Sequence, residues 1–174
     1  MPHPLVVQLR FTRSEFQRGL AGLTDDEARR RFPPMNAISW NIGHLAWQEQ
    51  AYWLWRGQDR VLFPEIDELF VSGAPASTPA LDEMWAAWHA ITQAAEPWLD
   101  TLTTPDLLEV RPVVLPNGSK FEVTYGNLLR RVTYHYWYHL GESMAVRQML
   151  GHTKLPGFVG NIDDEAPYLA EQPL

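Results

Sequence analysis

The chain has no cysteine. That removes disulfides, Cys-ligated zinc, iron–sulfur clusters and any cysteine nucleophile of its own. It also lacks an uninterrupted apolar run near the ~20 residues that a membrane helix needs. Positive charge is in short supply: 14 Lys and Arg stand against 21 Asp and Glu, a formal net charge of −7. So acidic a chain has no broad attraction for phosphate backbones or anionic bilayers, which disfavours general nucleic-acid and membrane binding. The N-terminal stretch has no basic segment leading into a sustained apolar one. No secretory signal is therefore expected there, and a cytoplasmic location is the default. A Gly-x-Ser-x-Gly elbow, a phosphate-cradling glycine loop and a dinucleotide fingerprint are all missing.

Aromatic rings, by contrast, are plentiful, with 8 Trp and 6 Tyr among 174 residues. Large rings bury much area each, so one domain of this length can hold a substantial core. The expected organisation is a single domain over 1–174, with its core in 4–151 and an extended tail over 152–174. Phe158, Val159, Ile162 and Tyr168 are the tail's candidate anchors.

Four stretches carry helical periodicity. In 5–23, Leu5, Leu9, Phe16, Leu20 and Leu23 recur at helical spacing. Thr24 then reads as a cap for a short acidic turn. The second helix is expected over 38–56, closed by Gly57, with Asn41, His44 and Gln48 on a polar stripe beside its apolar face. That stripe suits a site or a solvated border equally well. A third helix should start with Thr78 as cap and Pro79 at its first position, run towards Leu102, and be kinked or ended early by Pro97. The fourth spans 125–150, with Leu128, Val132, His135, His139, Glu142, Val146 and Met149 along one stripe.

The connections differ in kind. Residues 58–78 form a long loop with a short helical turn at 64–70, and long irregular loops are often functional. Residues 107–124 change period, and Asn117-Gly118 between β-type residues signals a hairpin. The fold class expected is all-α: an up-down-type four-helix bundle with a small β-hairpin before the last helix.

His135 and His139 are four residues apart, so both project from one helical face towards the bundle interior. Two unpartnered imidazoles there would carry a desolvation cost that a shared metal ion removes. Such a pair can also be two buried, hydrogen-bonded rings. Tyr136 stands where a zincin motif places its glutamate, which disfavours zincin chemistry. An open site needs a third ligand. His44 is the leading candidate; Glu142 is either a competing ligand or an acceptor that orients an imidazole. Three neutral imidazoles suit Zn, Ni, Fe or Cu. His3 lies at the terminus, His89 on an exposed flank, and His152 is placed to cap the fourth helix.

Two segments carry a resemblance. The second helix reads Ser39-Trp40-Asn41-Ile42-Gly43-His44-Leu45-Ala46-Trp47, and the fourth reads Val132-Thr133-Tyr134-His135-Tyr136-Trp137-Tyr138-His139-Leu140-Gly141-Glu142. With the Pro116-Asn117-Gly118-Ser119 turn between them, they resemble the DinB-like metal-binding four-helix family from the first helix to Leu150. The resemblance implies a divalent metal such as Zn, Ni or Fe held by His44, His135 and His139. It also implies kinship with thiol-dependent transferases and isomerases that use mycothiol, bacillithiol or glutathione.

The leading expectation is therefore a metal-dependent enzyme of S-transferase or isomerase type that borrows a low-molecular-weight thiol to act on a small-molecule substrate. No catalytic residue can be named; Glu142 is a candidate for orienting a ligand. In the long loop, Phe63, Leu69 and Phe70 could wall the electrophile. The alternatives are a metal-dependent hydrolase and a non-catalytic, stress-related metal- or ligand-binding protein. A homodimer through an exposed face is compatible with the composition.

Overall fold

A computed structural model describes residues 1–114, 118 and 120–169. Its elements follow one another as α1 (Pro4–Leu20), α2 (Asp25–Arg29), α3 (Ile38–Glu49), a π-helical segment (Gln50–Trp55), α4 (Arg56–Gln58), α5 (Pro64–Leu69), α6 (Leu81–Leu99), α7 (Thr104–Leu108), β1 (Val110–Val114), β2 (Lys120–Thr124), α8 (Tyr125–Met149) and α9 (Ile162–Glu165). The four long helical stretches make the bundle. β1 and β2 pair antiparallel, with Val110 opposite Thr124 and Val114 opposite Lys120. Gly118 has φ +79°, as a hairpin turn requires; Asn117 lies outside the described residues, as do 170–174 of the tail. Among the described residues, no helix is long and apolar enough to cross a membrane.

The helix directions follow from who meets whom. Arg147, near the end of α8, donates to the carbonyl of Gly19 near the end of α1, so these two helices run parallel. Gly43 faces Met84, and Trp53 lies 6.1 Å from Trp98, so α3 and α6 also run parallel. Between the pairs the sense reverses. Asn41 bonds Glu142 while the Arg56 carbonyl accepts from the Tyr125 hydroxyl, and Arg10 bonds Glu96 while Phe16 meets Trp85. The order is up-down-down-up, because the long connection after α4 carries the chain back along the bundle.

Several boundaries move, each for a local reason. Thr24 caps α2 in a full capping box, as its sequence implies. Instead of Thr78 and Pro79, Ala80 precedes α6, and the cap is borrowed: Asp25 accepts from the Leu81 N–H at 2.8 Å. The Thr78 carbonyl is held by Arg29. α6 ends at Leu99, two residues after Pro97. The second helix runs past Gly57 to Asp59, whose φ of 52° closes it. Gly57 serves a close approach instead, since a Cβ there would come within 2.9 Å of Trp98. His3 caps α1, its Nδ1 accepting from Leu5 at 3.1 Å. His152 accepts from Arg147 and meets Glu27 at 3.0 Å, tying the end of α8 to α2. In the tail, Phe158 packs edge-on against Trp137, while Tyr168 is 92% exposed and anchors nothing. The tail also forms the short α9, so it is not wholly extended.

Inside the apolar core lies one polar network with a member from every long helix. Arg13 makes two bonds to Glu49, at 2.8 and 2.6 Å, and a third to Glu96 at 2.5 Å. The Tyr136 hydroxyl donates to Glu49 and accepts from the Trp88 indole. Burial opposes the Arg13 charge, but Glu49 more than offsets this and the guanidinium is held more firmly protonated. A charge at this depth is tolerated only when paired and hydrogen-bonded, which fixes the register of the four helices.

Candidate metal centre

Facing away from that network, α3 and α8 bring three imidazoles together. His44 sits 4% exposed and His139 5% exposed, while His135 is half-buried. One ring nitrogen from each lies within 4.8 Å of the others, so the cluster could hold a metal ion. The rings stand nearly edge to face, with centroids 4.5 to 5.2 Å apart.

The outer hydrogen bond of each ring decides which of its nitrogens is free. His44 Nδ1 lies 2.6 Å from the Phe70 carbonyl, an acceptor, so Nδ1 carries the hydrogen. His139 Nδ1 lies 2.9 Å from Glu142 Oε2 and His135 Nδ1 lies 2.9 Å from Gln48 Oε1, with the same consequence. Each ring thus turns an Nε2 lone pair inward. The Nε2 atoms of His135 and His139 stand 3.0 Å apart, acceptor against acceptor. That contact is unfavourable unless a cation lies between them. An ion about 2.0–2.1 Å from each nitrogen sets neighbouring donors at about this separation. The donor set therefore fits a divalent transition metal.

Local sequence explains each placement. His135 and His139 share a face of α8 by their spacing, and His44 is sandwiched between Trp40 and Trp47, at centroid distances of 4.9 and 5.3 Å. Gly43 lets the loop after α5 press against α3. A Cβ there would come within 2.8 Å of the Phe70 ring and 2.7 Å of Met84, moving the carbonyl that holds His44. Gln50, at the start of the π-helical segment, clamps the segment that leads into α5, accepting from the Leu62 and Phe63 N–H groups and donating to the Phe63 carbonyl. π-helical turns often mark functional sites, and this one aims an amide at the start of α5, the helix whose far end presents the Phe70 carbonyl to His44.

The electrostatics favour the neutral forms of His44 and His135. Burial pushes His44 down to about 4; the Phe70 carbonyl opposes this and neighbouring His139 adds to it. Burial also takes His135 to about 3, helped by His139, His44 and Arg131. The Glu142 carboxylate is held below its ordinary range, mainly by the His139 hydrogen bond, and it accepts from Asn41 as well at 3.0 Å. Neutral imidazoles are what a metal requires.

The residues expected from the sequence come together: His44, His135 and His139 form the cluster, and Glu142 orients one of its rings. The polar stripe of α3 is fully interior, with Asn41, His44 and Gln48 all buried. Gln48 and the Phe70 carbonyl, which orient the other two rings, were not identified from sequence. The stripe pointed to Gln48, but a backbone carbonyl from a loop leaves no residue-type signal. The apolar wall expected from the long loop is not as drawn. Phe70 is 2% exposed and belongs to the core, while Leu69 is 54% exposed. His89 lies exposed on its flank, stacked on Trp85.

The comparison with curated proteins gives no match. A family model described as the DinB superfamily matches residues 8–143, which takes in most of α1, all three histidines and Glu142. That span is most of the chain, and the protein belongs to the DinB superfamily.

Proposed function

We propose that the protein is a divalent-metal-dependent enzyme that uses a low-molecular-weight thiol, of S-transferase or isomerase type, with His44, His135 and His139 as the metal ligands. The observation that carries the metal assignment is the convergence of three Nε2 lone pairs whose Nδ1 partners are all satisfied. Three protein ligands leave coordination positions for an incoming group. When bound, the ion supplies Lewis acidity that favours a thiolate near neutral pH. Kinship within the superfamily supports the choice of thiol over water.

The chain's own side chains have defined tasks in this reading. Gln48, Glu142 and the Phe70 carbonyl hold the rings in one tautomer and orientation. Trp40 and Trp47 keep water from the faces of His44. With no cysteine in the chain, the nucleophilic sulfur must come from outside.

The test is metal analysis of untagged protein, followed by a panel of thiols and electrophiles with wild type and His135→Ala. About one divalent ion per chain and thiol-dependent turnover lost in His135→Ala is the expected result. Turnover without thiol would favour a hydrolase, and metal binding without turnover a non-catalytic role. Equal rates for both proteins would remove His135 from the chemistry.

A further inference from the structure

Of the three histidines, only His135 has appreciable surface exposure. His44 and His139 are closed in, so a ligand reaches the cluster past His135. The α8 surface around His135 is unusual for this chain. Tyr134 and Tyr138 are 61% and 69% exposed, and the Tyr138 ring lies 6.4 Å from His135 and 5.0 Å from His139. One helical turn before His135 stands Arg131, exposed and near enough for its charge to act on that ring.

Arg131 has no hydrogen-bond or ion-pair partner among the described residues. In contrast, Arg10, Arg13, Arg18 and Arg29 each hold a carboxylate. Arg60 and Arg130 are also exposed without such a bond among the described residues, so what sets Arg131 apart is its place one helical turn from a ring of the cluster. The carboxylate nearest the cluster, Glu142, lies on its far side and already accepts from His139 and Asn41. The mouth is therefore an aromatic rim with one uncompensated positive charge.

We infer that Arg131 is a specificity-determining residue that docks the carboxylate of the incoming thiol while its sulfur reaches the cluster past His135. The inference rests on the thiol reading above and adds the ligand's charge to it. A guanidinium presents paired N–H donors that match a carboxylate, and the exposed tyrosine rings flank the carbon chain between the two ends. Neutral thiols would lack the second anchor.

Cobalt-loaded full-length protein provides a spectroscopic test independent of turnover. Mercaptopropionate, mercaptohexanoate and the methyl ester of each are titrated against the cobalt absorption bands of wild type, Arg131→Gln and Arg131→Lys. The better-fitting acid should bind wild type about tenfold more tightly than its ester, the order expected for one charge-assisted contact. Arg131→Gln should bring acid and ester within about twofold of each other, and Arg131→Lys should restore part of the difference. The esters should bind all three proteins alike. Acid and ester binding wild type equally, or an acid preference that survives in Arg131→Gln, would overturn the role of Arg131 and leave the thiol reading standing. No spectral response to any of the four thiols would overturn the thiol reading itself.

Discussion

Two polar clusters lie back to back in this bundle, and neighbouring residues alternate between them. On α3, Gln48 faces the histidines while Glu49 faces Arg13; on α8, His135 belongs to the first cluster and Tyr136 to the second. Both are buried, yet their bookkeeping differs. In the arginine network each guanidinium nitrogen of Arg13, the Tyr136 hydroxyl and the Trp88 indole meets an acceptor, and the Arg13 charge is paired with carboxylates. In the histidine cluster the outer nitrogens are satisfied but three acceptors converge with no donor. A closed network holds helices in register. An open one with unmatched lone pairs is built for something else to complete it.

The largest effect should come from unbalancing the closed network. Arg13→Ala leaves the Glu49 carboxylate in the core without its partner, and removing one member of a buried pair costs about 3–5 kcal/mol. Urea unfolding of metal-free wild type and variant would measure it. A change below about 1 kcal/mol would mean water or rearrangement reaches Glu49, and the contrast between the clusters would fail.

Acid should act on the other cluster. In the metal-free protein His44 has a folded value of about 4, below the ordinary 6.5. The unfolded chain then takes up the proton first, so stability is full above about pH 6.5 and falls as the pH drops towards 4. For this buried ring the total loss is about 3 kcal/mol. Melting temperatures of wild type and His44→Asn between pH 7.5 and 4.5 check it. The variant should show the shallower decline; identical slopes would rule out His44 as a source.

Filling the open cluster should stabilise by a similar amount. A ligand that binds only the folded state contributes about 2.7 kcal/mol at a hundredfold excess over its dissociation constant. Chelator at pH 7.5 should therefore lower the melting temperature of wild type and leave His139→Ala unmoved. Equal shifts in both proteins would show that chelation acts elsewhere.

How far the sequence foretold these clusters depends on the signal each left. The histidine pair was legible because a four-residue spacing fixes a shared face on any helix, and His44 because its stripe and segment resemble a family. The fold class followed from periodicity, and α2 from its cap. The direction of α6 did not, because it depends on where a long connection leads. Nor did its cap, which Asp25 supplies from 56 residues away. The arginine network was invisible for a related reason: Arg13, Glu49 and Glu96 look like surface charges until the bundle places them together.

The smallest effect distinguishes orientation from ligation. His139 leans on a carboxylate, His44 on a backbone carbonyl and His135 on the neutral amide of Gln48. An amide oxygen is a weaker acceptor than a carboxylate, so it raises the basicity of its ring less and holds it less firmly. Gln48→Leu removes the acceptor from His135 but touches no Nε2 atom. Loss of such a partner costs about tenfold or somewhat more in metal affinity, near 1.4 kcal/mol, with the ion still bound at saturation. Gln48→Glu should move the other way, since it gives His135 the kind of acceptor that His139 already has. Competition titrations against a chromogenic chelator at pH 7.5 would rank the three proteins. Glutamate above glutamine above leucine, with one ion per chain in each, is the expected order. Complete loss of metal in Gln48→Leu would make Gln48 a direct participant, and identical affinities would show that the three imidazoles are held by packing alone.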